Sequence, residues 1–207
     1  MHILPRLFYK QHFITVTMIR KICIWIFKLN GWKTDGHRPI QLQKCIVLAA
    51  PHTSNWDFWY SMATFAIYRL PIRFTVKKEW VKFPFGLLMN PLGAIAIDRR
   101  PRGPQNERPS FIDAMAELFH ANKEMIILIT PEGTRSRNEQ WKTGFYHIAR
   151  AANVPVLLGY VDYKKKLTGI SEPIFLSDYK TDMKKIMDFY KNISPKHPEK
   201  FSVDTSF

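Results

Sequence analysis

Residues 45–57 read Cys-Ile-Val-Leu-Ala-Ala-Pro-His-Thr-Ser-Asn-Trp-Asp, and the fold is decided by this stretch. The apolar run at 45–50 predicts a buried strand, and the residues at 58–69 predict a helix. A strand therefore leads His52 to the start of a helix, with Asp57 five residues further on. Of the seven histidines in the sequence, only His52 has an acidic residue at this spacing.

The rest of the chain alternates the same two patterns. Strand-like runs recur at 72–76, 93–97, 125–130, 155–161 and 167–174, and helix-like runs at 79–90, 105–121, 144–152 and 182–190. Such alternation predicts an α/β layered domain with a largely parallel central sheet flanked by helices. In sheets of this kind reactive residues gather where strands end. The stretch from Ser194 onward predicts loose order.

The first 35 residues form a separate helical segment in this interpretation, and residues 36–207 form the α/β domain. Arg20 and Lys21 separate two apolar runs at 13–19 and 22–27, which argues against a membrane-spanning helix. We expect an N-terminal amphipathic, hydrophobic helix that associates with a membrane surface. The alternative is a helix packed on the protein's own core. The apolar face recurs at helical spacing and comprises Ile14, Met18, Ile22, Trp25 and Leu29.

Basic residues outnumber acidic ones, 31 to 17, which gives the chain a net charge of +14. This charge suits nucleic acid, an anionic membrane surface or phosphorylated substrates. The aromatic residues lie mainly in apolar runs and no nucleic-acid motif is present, so no nucleic-acid partner is expected. Cys23 and Cys45 lie in apolar segments without a Cys-x-x-Cys pair, which predicts two reduced thiols and no metal site.

His52 and Asp57 have two interpretations. In the first, Ser54 is the N-cap of the helix and Asp57 completes a capping box. In the second, Asp57 orients the imidazole and stabilises its protonated form, so that the other ring nitrogen takes a proton. The stretch alone does not decide between them. Because no Gly-x-Ser-x-Gly turn is present, the base would activate the substrate's own hydroxyl.

Residues 131–137, Pro-Glu-Gly-Thr-Arg-Ser-Arg, follow another predicted strand. Gly133 lets the backbone approach a ligand closely, and Arg135 and Arg137 can donate bidentate bonds to phosphate. Glu132 would contact a substrate hydroxyl or tether an arginine. The alternative is a polar surface turn. The predicted phosphate-binding residues of this stretch are Glu132, Gly133, Thr134, Arg135 and Ser136.

A third strand ends at Asp98-Arg99-Arg100. Arg99 could reach the same edge of the sheet and bind the same phosphate. A charged strand terminus without a ligand is the alternative.

In their order and separation, these stretches resemble the glycerolipid acyltransferase family. The resemblance rests on His52 and Asp57 (His-x4-Asp), Arg99, Glu-Gly-Thr-Arg-Ser at 132–136, and Val-Pro at 154–155. It covers roughly residues 40–165. Pro51 departs from the family pattern, in which a polar residue usually precedes the histidine. The resemblance implies that His52 is the base, with Asp57 as its partner, and that Arg99 and residues 132–136 hold the phosphate of the substrate.

The resemblance also implies an activity and its partners. The expected reaction moves a fatty acyl group from acyl-coenzyme A or acyl-carrier protein to the free hydroxyl of a lysophospholipid, without an acyl-enzyme or a cofactor. The first expected acceptor is 1-acylglycerol-3-phosphate, which would give phosphatidic acid. The expected location is the cytoplasmic face of a membrane, as a peripheral or monotopic protein. Backbone N–H groups at the start of the 55–69 helix are expected to stabilise the oxyanion.

Two alternatives remain open at this point. One keeps the reaction but changes the acceptor to a lysolipid with a larger headgroup or to an amino-acid-containing lipid. The other is a non-catalytic peripheral protein that binds a membrane lipid surface.

Overall fold

The strand predicted from the apolar run at 45–50 lies at the centre of a seven-stranded sheet in the computed structural model, which describes residues 4–37, 42–97 and 110–207. The spatial order of the strands is β1-β7-β6-β2-β5-β3-β4. Their bounds are β1 Lys33–Thr34, β2 Lys44–Ala49, β3 Ile72–Lys77, β4 Ala94–Ile97, β5 Met125–Ile129, β6 Val156–Asp162 and β7 Leu167–Ile170.

Strands β2 to β6 are mutually parallel, and β7 pairs with β6 in the antiparallel sense. Strand β1 pairs in parallel with β7, so these two strands run opposite to the other five. The prediction of an α/β fold with a largely parallel sheet is therefore confirmed. Because parallel strands end at one edge, the residues that follow β2, β5 and β6 lie close together.

Helices cover both faces of the sheet. Along β2, Ile46 and Leu48 belong to one apolar layer, and Cys45 and Val47 belong to the other. This alternation follows from the pleat of a strand, and burial on both faces explains its continuously apolar sequence. The helices are α1 Leu4–Leu29, α2 Asn55–Ile67, α3 Gly86–Met89, α4 Phe111–Ala121, α5 Gly144–Ala152 and α6 Tyr179–Tyr190.

Some predicted bounds change. The segment at 79–90 is split into a 3-10 turn, Lys78–Val81, and the one-turn helix α3, with Pro84 between them. Strand β1 was not predicted, because two residues carry no periodicity. Residues 105–109 of the predicted helix at 105–121 lie outside the described residues.

The expectation of loose order from Ser194 onward is wrong. The backbone oxygen of Ser194 accepts a bond of 2.8 Å from the N–H of Tyr163, and the N–H of His197 donates to the Thr53 hydroxyl over 3.3 Å. Further along, the buried carboxylate of Asp204 accepts from the N–H of Trp141 over 2.9 Å. The segment 194–204 is therefore tied to the turns that follow β2 and β6 and to the loop that precedes α5.

Helix α1 packs along α2 and buries Cys23 and Phe27 among the apolar residues on that face of the sheet. Its opposite side exposes Met18, Trp25 and Leu29. Among the described residues, no helix combines the length and apolar character that crossing a bilayer requires. The division at residue 35 into two domains stays a prediction.

Candidate active site

His52 lies where β2 ends, and its half-buried side chain lines a cavity of about 700 Å³. Its Nδ1 atom is 3.6 Å from Oδ2 of Asp57. This distance is longer than a hydrogen bond but within ion-pair contact, and such pairs often tighten when substrate binds. The imidazole is therefore paired with a carboxylate at the wall of a cavity.

Asp57 is both a helix cap and the partner of His52. Its Oδ2 accepts bonds from the N–H groups of Thr53 (2.7 Å) and Ser54 (2.8 Å). Ser54 is the N-cap of α2, and a complete capping box is present. The two interpretations of this stretch are compatible, because the geometry of the capping box also directs the carboxylate toward the imidazole.

Tyr163 joins His52 and Asp57 at this site, and the sequence did not predict it as a site residue. Its hydroxyl donates a 2.6 Å bond to Oδ1 of Asp57. Burial, followed by this bond, raises the pKa of Tyr163 far above its usual value, so the hydroxyl keeps its proton and remains a donor. Tyr163 directly follows β6, so the rule that reactive residues gather at strand ends was a usable signal.

Glu132 is buried and bonds to the backbone at His52. It is 3% exposed, and its Oε2 accepts a 2.7 Å bond from the backbone N–H of His52. Burial raises the pKa of the Glu132 carboxyl to about 8; the N–H of His52 opposes the rise, and the charge of Asp57 adds to it. The carboxyl thus holds the backbone of His52 and is shielded from solvent, while its contact with a substrate or an arginine stays a prediction.

The loop after Glu132 is exposed from Gly133 to Arg137. Arg135 lines the same cavity as His52, whereas Arg137 contacts Glu139 over 3.1 Å. The structure therefore brings Arg135, but not Arg137, to the wall that carries the base. Thr134 and Ser136 bond to each other, with the Ser136 N–H donating to the Thr134 hydroxyl over 3.2 Å.

Gly133 adopts a positive φ of +70°, which disfavours other residues. A Cβ atom there would also lie 2.7 Å from Cε of Lys142. Gly133 therefore allows the side chain of Lys142 to lie close to the backbone of this loop. A ligand contact at Gly133, Thr134 and Ser136 stays a prediction, and Arg99 lies outside the described residues.

The N–H groups at the start of α2 are largely engaged within the turn. Those of Thr53 and Ser54 bond to Asp57, that of Trp56 donates to the Ser54 hydroxyl over 3.2 Å, and that of Asp57 donates to the Ser54 oxygen over 3.3 Å. These four groups maintain the capping box. Asn55, the first residue of α2, lines the cavity, and oxyanion stabilisation at this helix start stays a prediction.

The cavity itself is predominantly apolar. Its walls include Phe58 from α2, Phe74 from β3, Leu92 from the turn before β4, and Ile19 and Ile22 from α1. Its polar groups are few, and His52, Asp57 and Arg135 are among them. A mostly apolar cavity with a few convergent polar groups is typical of a site for an amphipathic ligand. In the described ranges, no group of three His, Cys, Asp or Glu side chains could hold a metal.

Comparison with known proteins identifies relatives for most of the globular part. A family model described as Acyltransferase matches residues 32–157. The 1-acyl-sn-glycerol-3-phosphate acyltransferases of Salmonella typhimurium and Escherichia coli are each 34% identical to this chain, over 137 and 139 residues. These alignments cover 62% of this chain and 52% of each relative, so the chain spans about half the length of these curated relatives.

A solved structure has a similar fold. The crystal structure of the 1-acyl-sn-glycerophosphate (LPA) acyltransferase from Thermotoga maritima superposes with a TM-score of 0.58 and 18% sequence identity. The superposition covers 88% of this chain and 79% of that one.

Proposed function

Because this chain belongs to the acyltransferase family, we propose that it transfers a fatty acyl group from an acyl thioester to the free hydroxyl of a lysophospholipid. The single observation that carries this proposal is the pairing of His52 with Asp57, 3.6 Å apart, at the wall of a largely apolar cavity that Arg135 also lines. A site for a lysolipid and a fatty acyl chain requires a base, a cation and an apolar cavity.

In the proposed reaction, Nε2 of His52 removes the proton from the acceptor hydroxyl. The oxygen attacks the thioester carbonyl, a new C–O bond forms, and the C–S bond breaks as the tetrahedral intermediate collapses. The leaving sulfur takes the proton from the imidazolium, so the products are an ester and a thiol. Asp57 stabilises the transient positive charge on the ring, and no acyl-enzyme is needed.

Arg135 is proposed to bind the phosphate of the acceptor, because guanidinium groups make bidentate bonds to phosphate. The first proposed acceptor is 1-acylglycerol-3-phosphate, the substrate in the names of the relatives aligned at 34% identity. Acyl-coenzyme A and acyl-carrier protein are both proposed donors, and no cofactor is proposed.

We further propose that α1 attaches the protein to the cytoplasmic face of a membrane. Four residues of the stripe expected from the sequence, Met18, Ile22, Trp25 and Leu29, are exposed. Arg20 and Lys21 beside it are exposed as well, which suits a helix that lies in an anionic headgroup layer.

The test is thiol release from purified protein supplied with a matrix of acyl donors and lysolipid acceptors, with the lipid product read by mass. Release should require both substrates, and His52→Ala should abolish it while the protein remains folded. His120→Ala, which changes an exposed histidine on α4, is the matched control and should keep full activity. Full activity in His52→Ala would refute the proposal, and an acceptor panel with larger headgroups tests the alternative acceptor.

A further inference from the structure

A second exposed apolar surface lies far from α1 in the sequence. It is formed by Trp80, Phe83, Phe85 and Leu87, here called the 80–87 patch. These side chains are 46%, 84%, 55% and 62% exposed, respectively. Four large apolar side chains exposed within eight residues are uncommon on a surface that faces only water, and they indicate an interaction site.

The 80–87 patch borders the mouth of the cavity. Trp80 lines the cavity, and so does Ile22, which belongs to the exposed stripe of α1. Phe85 packs against Trp80 with ring centroids 5.1 Å apart, so the rest of the patch continues outward from the cavity wall. The opening is therefore flanked by two exposed apolar surfaces, one on α1 and one on the 80–87 patch.

Charge at this edge suits an anionic surface. Lys78 and Lys82 are exposed within and beside the patch, and Arg20 and Lys21 are exposed on α1. Aromatic side chains interspersed with lysine are typical of protein segments at the headgroup level of a membrane. The net charge of +14 adds a long-range attraction to anionic lipid.

We propose that the 80–87 patch is a second contact with an anionic lipid surface, so that the cavity opens toward the membrane between this patch and α1. This arrangement deepens the proposed function, on which it rests for the lipid nature of the acceptor. The lysolipid would then pass from the bilayer into the cavity without crossing water.

The first experiment measures partition of the full chain onto vesicles of phosphatidylglycerol and phosphatidylethanolamine without any substrate. Phe83→Ser/Phe85→Ser should weaken partition by roughly tenfold or more, because two apolar side chains no longer enter the interface. Phe83→Ser alone, at an 84% exposed position that does not line the cavity, should show an intermediate loss without any risk to folding.

Phe175→Ser is the matched control. Phe175 is 71% exposed and adjoins Ile174, which bridges to Val156 at the opposite end of β6 from the site. This variant should partition within about twofold of the unmodified protein. Wild-type partition of the double variant, or an equal loss in Phe175→Ser, would overturn the proposal. A change in oligomeric mass of the double variant would also overturn it, since the patch would then be a contact between protein copies.

The second experiment compares turnover of a lysolipid embedded in the same vesicles with turnover of a short-chain lysolipid dispersed in water. The double variant should lose activity on vesicles and keep it with the dispersed acceptor. If the unmodified protein acylates neither acceptor while its partition still depends on the patch, acyl transfer fails and the lipid contact stands. Equal loss on both acceptors would count against the lipid contact.

Discussion

The turn that carries His52 and the loop that carries Arg135 both follow a central parallel strand, yet they differ in nearly every physical respect. In the His52 turn Thr53, Ser54 and Asp57 are buried, and Asp57 is held by bonds from the turn's own N–H groups and from the Tyr163 hydroxyl. The loop that carries Arg135 is exposed, and its cation lines the cavity. A preorganised group suits proton transfer, and an exposed cation suits capture of a ligand. Changes in the turn should therefore lower kcat, and changes in the loop should raise KM.

The largest effect is expected from Asp57→Asn. Loss of the negative charge beside His52 should lower kcat about a thousandfold, with the KM for both substrates nearly unchanged. Steady-state kinetics in the thiol-release assay measure both constants.

Asp113→Asn is the control for helix capping. Asp113 completes the capping box of α4 with Ser110, far in sequence from the catalytic turn and without a histidine partner there. This variant should lose only the modest stability of a cap. A similar loss of kcat in both variants would mean that Asp57 acts through the helix alone.

The next largest effect is expected from Arg135→Ala. Removing the cation from the cavity wall should raise the KM for the lysophospholipid roughly tenfold to a hundredfold and change kcat less. Arg137→Ala on the same loop is the control, because Arg137 contacts Glu139. An unchanged KM in Arg135→Ala would show that the phosphate is held elsewhere.

A smaller effect is expected from Tyr163→Phe. The ring, which packs edge-on to Trp32, remains, but Asp57 loses the 2.6 Å bond. We expect kcat to fall about fivefold to tenfold at constant KM, since one hydrogen bond to a charged group is lost. Tyr68→Phe removes a comparable bond, to Asp35, and should leave kcat unchanged. Equal kcat values in Tyr163→Phe and the unmodified protein would show that the Tyr163 hydroxyl does not contribute to catalysis.

The smallest effect is on stability and concerns Glu132. Its pKa is raised from a usual 4.5 to about 8, so its protonation favours the folded state. The corresponding stability is fully present below about pH 4.5 and is lost as pH rises toward 8. Glu132→Gln keeps an oxygen acceptor for the His52 N–H but cannot ionise, so its urea midpoint should fall less between about pH 5 and about pH 8.

Glu117→Gln, at an exposed position on α4, should keep the unmodified protein's dependence on pH. If Glu132→Gln shows that same dependence, the buried carboxyl does not titrate in this range.

The sequence predicted what local patterns encode. The central strands follow from apolar runs, and Ser54 with Asp57 follows from the spacing of a capping box. It did not predict contacts between distant positions, such as Tyr163 with Asp57 across 106 residues or His197 with Thr53 across 144. Nor does a polar turn reveal which of its side chains points inward, so the bond from the His52 N–H to Glu132 could not be predicted.

Helix α1 has a practical consequence for handling this protein. Ile19 and Ile22 form part of the cavity wall, while Met18 and Trp25 on the same helix are exposed. A truncation that removes this helix to reduce aggregation would also remove part of the wall of the cavity in which we expect the substrates to react. Replacing Met18 and Trp25 with polar residues instead removes exposed apolar side chains from the helix and leaves the cavity wall intact.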